Sequence, residues 1–238
     1  MSGAGADLAG HVVAVAGAGG SLGPYVARRL MACGASVALT DRDQGKLDAL
    51  AAELGDPDRV DARVVDLLDE GATRGWADAV AERFGRVDGV AHLVGGWRGG
   101  TPIGEAPLED WALLHDLLIR TVQHTSRGFL PALKASGRGR FVLVSAKQAQ
   151  RPTSDNAAYG SAKAAAEAWT LAVADELAGD GGTANIVVVN AIVTDEMRAA
   201  NPDKAYKTFT DAGEIAATIA WLCSDAARKM NGRRVVLA

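Results

Sequence analysis

A tyrosine and a lysine one helical turn apart are the residues of this sequence best placed for acid–base chemistry. Tyr159 and Lys163 are four positions apart in Tyr-Gly-Ser-Ala-Lys, so on a helix the phenol and the ammonium share one face. A positive charge nearby favours the phenolate, and the spacing therefore predicts that Lys163 lowers the phenol pKa below its ordinary value of about 10. Many helices carry this spacing by chance, so its meaning depends on what else the chain contains.

A glycine-rich turn lies about 140 residues upstream of this pair. The sequence Gly-Ala-Gly-Gly-Ser-Leu-Gly begins at Gly17, directly after an apolar run and before a helical pattern. Glycines at such a turn let a pyrophosphate approach the backbone, and the free N–H groups of the helix N-terminus meet its charge. We expect a dinucleotide to bind at five residues of this turn: Gly17, Gly20, Ser21, Leu22 and Gly23.

Asp41 follows the second apolar run, some two dozen residues after the turn begins. A carboxylate there can accept hydrogen bonds from both ribose hydroxyls and would repel a 2′-phosphate, which favours NAD(H). Arg42 comes next and can reach toward a 2′-phosphate, so NADP(H) stays open. The other interpretation of Asp41 is a helix-capping or loop carboxylate.

The elements that must position these residues alternate between short valine-rich runs and longer helical patterns, which is typical of a parallel sheet buried on both faces. The predicted strands are His11–Ala16, Ser36–Thr40, Ala62–Val65, Gly89–Val94, Arg140–Ser145, Ala184–Val189 and Arg234–Leu237. The predicted helices are Leu22–Cys33, Asp43–Leu54, Asp69–Phe84, Leu108–Lys134, Ala157–Ala178 and Gly213–Ser224. Gly95–Pro107 and Thr194–Thr208 are expected to be irregular loops near the active site. This alternation predicts an α/β fold of the doubly wound Rossmann type, formed as one domain over residues 1–238.

Composition and charge narrow the class of protein. The chain has 238 residues, 48% of them hydrophobic, and a net charge of −4, which suits one α/β domain and argues against a nucleic-acid partner. It contains no apolar run of about 18 residues, and Met1–Asp7 lacks the pattern of a signal peptide, so we expect a cytoplasmic protein without a membrane partner. Cys33 and Cys223 are interpreted as buried thiols, and no metal site is expected.

Taken together, these residues resemble the short-chain dehydrogenase/reductase family over nearly the whole chain. The glycine motif (with Ser21 in place of its middle glycine), the acidic Asp41, the adenine-contacting pair Asp66-Leu67, the glycine after the fourth strand, Gly95, and the Tyr159/Lys163 pair all match. The resemblance implies about seven parallel strands in the order 3-2-1-4-5-6-7, and a homodimer or homotetramer built through the long middle helices. It also implies an NAD(P)-dependent oxidoreductase in which the tyrosine exchanges a proton with a carbonyl or alcohol substrate. The lysine of that family lowers the tyrosine pKa and holds the nicotinamide ribose.

The sequence departs from the family pattern at several site positions. The serine thirteen residues before the tyrosine, which polarises the carbonyl, is Ala146 here. Ser145 is the candidate substitute, although alternation along a strand predicts that it points away unless a bulge turns it inward. The helix asparagine that holds a water in the proton relay corresponds to Leu118, and the usual Pro-Gly after the sixth strand is absent from Asn190–Thr194. The family's Asn-Asn-Ala-Gly is His-Leu-Val-Gly, beginning at His92.

Other side chains near the predicted strand ends have two interpretations each. Lys147 or Gln148 can donate a hydrogen bond to a substrate oxygen or be solvated loop residues, and Trp97 can cover the nicotinamide or pack on the surface. His92 is interpreted as a core histidine bonded to backbone. Three functions stay open: an oxidoreductase, a catalytically weak relative that binds dinucleotide or serves as a partner subunit, and an isomerase or dehydratase using proton transfer alone.

Overall fold

A seven-stranded parallel sheet organises the molecule, whose computed structural model describes residues 6–237. Along the chain its strands are β1 (Val12–Ala16), β2 (Ser36–Asp41), β3 (Val60–Val64), β4 (Gly89–His92), β5 (Arg140–Ala146), β6 (Thr183–Val189) and β9 (Arg234–Val236). The two short strands between β6 and β9, β7 (Ile192–Val193) and β8 (Thr210–Asp211), belong to a separate sheet. Their spatial order is β3-β2-β1-β4-β5-β6-β9, and every pairing is parallel. The predicted Rossmann-type fold and strand order are confirmed. Met1–Gly5, where the absence of a signal peptide was predicted, lie outside the described residues, as does Ala238.

Helices cover both faces of this sheet. They are α1 (Gly23–Ala32), α2 (Gln44–Leu54), α3 (Glu70–Phe84), α4 (Leu108–His115), α5 (Thr121–Ala135), α6 (Ala157–Ala178), α7 (Asp195–Ala200) and α8 (Ala212–Cys223). Because side chains alternate along a strand, Val142 and Val144 of β5 enter a core with α1 and α8, whereas Phe141 and Leu143 enter the core formed with α3, α5 and α6. The side chains of α6 therefore pack on the sheet face that carries Phe141 and Leu143. None of the helices within residues 6–237 is both long and apolar enough to cross a membrane.

Burial on both faces holds for the inner strands only. Strands β1, β2, β4, β5 and β6 are almost wholly buried, as predicted. The prediction is wrong for β3 and β9, which form the two edges of the sheet and leave side chains such as Val64 exposed. Cys33 is half-buried and not buried as expected, whereas Cys223 is buried, and both are free thiols.

The predicted long helix Leu108–Lys134 is interrupted by one π-helical turn. Residues Asp116–Arg120 form this turn between α4 and α5. A π turn holds one more residue than an α-helical turn, so the faces of α4 and α5 are offset from each other. Leu118 is buried in a small cluster with Leu114, and Thr121, the first residue of α5, lies in the wall of the cavity described below.

The segment Thr194–Thr208 is more ordered than predicted. It contains α7, whose N-cap Thr194 accepts a hydrogen bond from the Met197 N–H at 3.3 Å. Two short strands, β7 (Ile192–Val193) and β8 (Thr210–Asp211), pair on either side of it in a separate small sheet. The Tyr25 hydroxyl of α1 accepts a hydrogen bond from the Asp195 N–H at 2.9 Å, which holds α7 against the helix that follows the glycine turn.

Candidate active site

The glycine turn is tightly packed against the start of α1. Gly17 has a positive φ of 85°, and a Cβ atom on it would lie 3.0 Å from the Val94 backbone nitrogen. A Cβ atom on Gly23 would overlap the Ala18 carbonyl oxygen. The backbone N–H groups of Ser21 and Leu22 have no acceptor within residues 6–237, so they are available to a phosphate. The turn thus fits the pyrophosphate of a dinucleotide.

The Asp41 carboxylate lies at the end of β2, beside this turn. It accepts hydrogen bonds from the Gly19 N–H at 3.0 Å and from the Arg42 N–H at 2.8 Å. The residue that caps α2 is Asp43, whose side chain accepts from the Lys46 N–H, so the capping interpretation of Asp41 is wrong. Asp41 is instead fixed by the glycine turn at the carboxyl edge of the sheet, where ligands bind in open α/β folds.

One large cavity joins the two groups of residues singled out in the sequence. Its volume is about 1020 Å³, and it runs along the carboxyl ends of the central strands. Its walls include Gly17, Gly20, Ser21, Leu22, Asp41, Arg42, Asp66, Leu67, Gly95, Ser145, Tyr159 and Lys163. Gly23, which was also expected to bind the dinucleotide, does not line it. Across residues 6–237, no three His, Cys, Asp or Glu side chains are grouped to hold a metal ion.

Tyr159 and Lys163 enter this cavity from the first turns of α6. Lys163 is buried and donates a hydrogen bond from Nζ to the Val144 carbonyl oxygen at 3.0 Å, which fixes its ammonium against β5. Burial lowers the pKa of Lys163 to about 8, and the Glu167 carboxylate one turn farther along opposes that shift. Burial raises the pKa of Tyr159 to about 12. The prediction that the phenol pKa lies below its ordinary value is therefore wrong, because burial disfavours the phenolate.

Sequence comparison identifies relatives of this chain. A family model described as enoyl-(acyl carrier protein) reductase matches residues 17–237. The 2,3-dihydroxy-2,3-dihydro-p-cumate dehydrogenase of Pseudomonas putida is 31% identical over 207 residues, which are 84% of this chain and 79% of the relative. A 2-dehydro-3-deoxy-L-rhamnonate dehydrogenase (NAD(+)) of a Sphingomonas species is 29% identical over 177 residues, 74% of this chain and 70% of the relative.

Structural comparison agrees. A short-chain type dehydrogenase/reductase from Mycobacterium ulcerans superposes with a TM-score of 0.88 at 26% identity, over 97% of this chain and 89% of that one. The chain belongs to the short-chain dehydrogenase/reductase family. Members of this family are oxidoreductases that use NAD(P).

The serine of this chain stands one residue before the position at which the family resemblance implies one. Ser145 lies in the wall of the cavity, while Ala146, at the family's serine position, does not. Ser145 follows Phe141 and Leu143 on the α6 face of β5, so the expectation that it points away from the site is wrong without any bulge being needed. Its hydroxyl is buried and has no hydrogen-bond partner within residues 6–237.

Leu118 and His92 stand at two positions where the family resemblance implies asparagines. Leu118 is buried among apolar side chains and offers no hydrogen bond. His92 is buried, as predicted, but its Nε2 contacts the Thr121 hydroxyl at 3.3 Å and not the backbone. Sequence reasoning missed Thr121 altogether, and a helical pattern gives no signal for it, since the π turn sets its direction.

The structure distinguishes the two interpretations given for Lys147, Gln148 and Trp97. Lys147 is exposed, as the solvated-loop interpretation requires, whereas Gln148 lines the cavity and keeps its Oε1 buried without a partner in the described part of the chain. Trp97 also lines the cavity, with 55% of its surface exposed at the mouth. Gln148 and Trp97 are thus available to a substrate.

Proposed function

We propose that this protein transfers hydride between a nicotinamide cofactor and a carbonyl/alcohol substrate, with Tyr159 and Lys163 as the acid–base pair. One observation carries the proposal: both side chains line the same cavity as the glycine turn and Asp41. A dinucleotide bound at the turn extends along this cavity toward α6. The cofactor, when bound, supplies or accepts the hydride.

The residues of the chain supply the proton. In reduction, the Tyr159 hydroxyl donates its proton to the substrate oxygen, and in oxidation the phenolate takes it back. Lys163, held by the Val144 carbonyl oxygen, would hold the nicotinamide ribose and supply a positive charge there when the cofactor is bound. With a pKa of about 8 its ammonium is largely charged at neutral pH.

Ser145 is proposed to polarise the substrate oxygen in place of the family's serine. A buried hydroxyl without a partner calls for an explanation, and a substrate oxygen would satisfy it. Ser145→Ala should lower kcat about 100-fold or more, as expected for loss of one donor to a developing oxyanion, with the melting temperature nearly unchanged. The matched control moves the hydroxyl by one position, to Ala146. Restored activity in the Ser145→Ala/Ala146→Ser double variant would assign the role to position 146.

The cofactor is proposed to be NAD(H), with NADP(H) as the alternative. The fixed position of the Asp41 carboxylate beside the glycine turn supports NAD(H), because a 2′-phosphate there would meet a negative charge. Arg42 lines the same cavity and is the group through which NADP(H) would bind.

The substrate is proposed to be a small apolar or ring-containing molecule. Trp97, Leu113 and Leu117 give the cavity an apolar wall near Tyr159. The relative from Pseudomonas putida acts, by its name, on a dihydroxy derivative of p-cumate, which is in keeping with this wall. Gln148 is the polar group available to orient such a molecule.

A catalytically weak relative that binds dinucleotide or works as a partner subunit is the alternative. The phenol pKa of about 12 and the buried, apolar Leu118 favour this alternative, because both slow proton exchange at the site. Tight dinucleotide binding without turnover of any carbonyl compound would select it.

The deciding experiment titrates the protein with NADH and NADPH, followed by energy transfer from tryptophan to the nicotinamide and by calorimetry. Selective binding of one cofactor would support the proposal and choose the cofactor for a screen of carbonyl compounds. Tyr159→Phe should then abolish turnover and leave cofactor affinity nearly unchanged. Binding of neither cofactor at millimolar concentration would refute the oxidoreductase proposal.

The assembly is proposed to be a homodimer or homotetramer. Exposed apolar side chains on α4, among them Leu108 and Trp111, lie on the middle helices that the family resemblance implicates. Light scattering coupled to size exclusion would give the mass directly. The single domain over residues 1–238 and the cytoplasmic location stay predictions from the sequence.

A further inference from the structure

His92 is a buried histidine that uses only one of its two ring nitrogens. It is the last residue of β4, and its Nε2 lies 3.3 Å from the Thr121 hydroxyl oxygen. That hydroxyl donates its own proton to the Leu117 carbonyl oxygen at 2.7 Å. Since the hydroxyl proton is already used, Nε2 must carry the imidazole proton and donate it to Thr121. Nδ1 is then a bare acceptor, and it has no partner within residues 6–237.

The His92 ring is held neutral by its surroundings. Burial, together with the positive charge of Lys163, lowers the pKa of His92 to about 3. The imidazole therefore stays unprotonated through the neutral pH range, and its Nδ1 lone pair remains available. A buried acceptor left empty costs free energy, so a donor is expected to face it.

Lys163 is the donor that the fold brings to this place. His92 is paired in register with Leu143 of β5, and Lys163 reaches the carbonyl oxygen of the next residue, Val144. That bond uses one of the three N–H donors of the ammonium and leaves two. The His92 ring lies over Phe141 at 6.5 Å between centroids, on the sheet face that α6 covers.

The titratable groups around Lys163 come from two elements, α6 and β4. Glu167, one turn along α6, has a carboxylate oxygen bonded to Arg234 Nε of β9 at 2.6 Å, so much of its charge is already compensated. Tyr159 lies one turn before Lys163 on α6, and the His92 ring on β4 is close enough to Lys163 for the lysine charge to act on it. Leu118 on the π turn contributes no polar atom.

We propose that His92 is a positioning residue of the active site, whose Nδ1 is linked to the Lys163 ammonium by one bound water that accepts from Nζ and donates to Nδ1. The proposal rests on the proposed function in assigning Lys163 to the acid–base pair. Held by Val144 on one side and His92 on the other, the ammonium has a fixed direction and keeps its proton despite burial. Thr121 fixes the imidazole tautomer with its proton on Nε2, which leaves Nδ1 free to accept a hydrogen bond.

The first test follows the Lys163 pKa by NMR of 13Cε-labelled lysine in the protein without added cofactor. His92→Phe keeps the ring volume and removes the acceptor, and it should lower the Lys163 pKa by about one unit or more. His92→Asn, which offers an amide oxygen, should restore part of the shift. The matched control, His115→Phe, makes the same change on the half-buried histidine of α4 and should leave the Lys163 pKa unchanged. An unchanged Lys163 pKa in folded His92→Phe would overturn the proposal.

A second measurement needs no folded His92 variant. In 15N spectra of the wild-type protein, His92 should show an unprotonated Nδ1 whose resonance moves as Lys163 loses its proton, with a midpoint near pH 8. Lys163→Met should abolish that movement. A protonated Nδ1, or one that does not respond near pH 8, would refute the contact. Neither measurement requires turnover, so failure here is distinguishable from failure of the Tyr159→Phe test of the proposed function.

Discussion

The buried phenol predicts that carbonyl reduction and alcohol oxidation by this protein depend on pH in different ways. Reduction uses the neutral Tyr159 hydroxyl, whereas oxidation needs the phenolate. With a pKa of about 12, the phenolate is about one part in 100,000 at pH 7, and forming it there costs about 7 kcal/mol. A phenol at its ordinary pKa of about 10 would need about 4 kcal/mol.

The assay is the pH dependence of kcat/KM for the cofactor in both directions, which reports the groups of the free enzyme. The rate of reduction should be flat up to about pH 8 and then fall, because Lys163 loses its charge there. The rate of oxidation should rise about tenfold per pH unit below pH 8 and level off above it, since phenolate then increases while charged Lys163 decreases. In Lys163→Met the change of slope near pH 8 should disappear.

A near-ultraviolet difference titration checks the phenol directly. The chain has three tyrosines, and subtracting the Tyr159→Phe titration from the wild-type one isolates Tyr159. An ionisation midpoint below about 9, lower than the ordinary tyrosine value, would refute the claim that burial dominates. An oxidation rate independent of pH around neutrality would refute it as well.

Three further outcomes are expected. Asp41→Ala should weaken NADH binding more than NADPH binding, measured by calorimetry; equal losses would show that this carboxylate does not contact the ribose. Gly23→Ala should destabilise the protein by about 1–3 kcal/mol and weaken dinucleotide binding, because the new Cβ would overlap the Ala18 carbonyl oxygen. The control is Gly75→Ala, whose Cβ would meet open space; it should leave stability unchanged or raise it. Asp88 is buried, and although burial opposes ionisation, hydrogen bonds from two arginines and a backbone N–H hold its pKa below the ordinary value. The ionised Asp88 therefore stabilises the folded state fully above about pH 4, and this stabilisation is lost as the pH falls through the lower pKa of the folded state. Asp88→Asn should lower the melting temperature by about 4–8 °C at pH 7 and by progressively less in acid. A constant difference down to pH 2 would contradict the assigned charge.

The fold and the cofactor end were predictable because their signals are local. The turn from Gly17 to Gly23 and the carboxylate of Asp41 have fixed positions relative to neighbouring strands, and strand–helix alternation permits few topologies. The inner strands followed from apolar runs alone. The strand order implied by the resemblance already placed β3 at an edge of the sheet, but the residues of β3 do not show its exposure, which depends on which strands have a neighbour.

The catalytic end was less predictable because its properties depend on packing between distant segments. The direction of Ser145 depends on which face of β5 the helix α6 covers, and that is not encoded in the strand itself. The Tyr159 pKa depends on burial by other elements, which the spacing of Tyr159 and Lys163 does not encode. The π turn before Thr121 interrupts a periodic pattern that reads as one helix, so the partner of His92 could not be found from the sequence.

The π turn at Asp116–Arg120 also makes the wall of the cavity sensitive to chain length. Removing one residue from it would restore an α-helical turn and rotate α4 against α5 by about 100°. Such a deletion would replace Thr121 at the cavity wall by a neighbour without changing any side chain of the sheet. The deletion of one codon would then remove the hydroxyl that contacts His92, while the glycine turn and Asp41 at the cofactor end would stay in place.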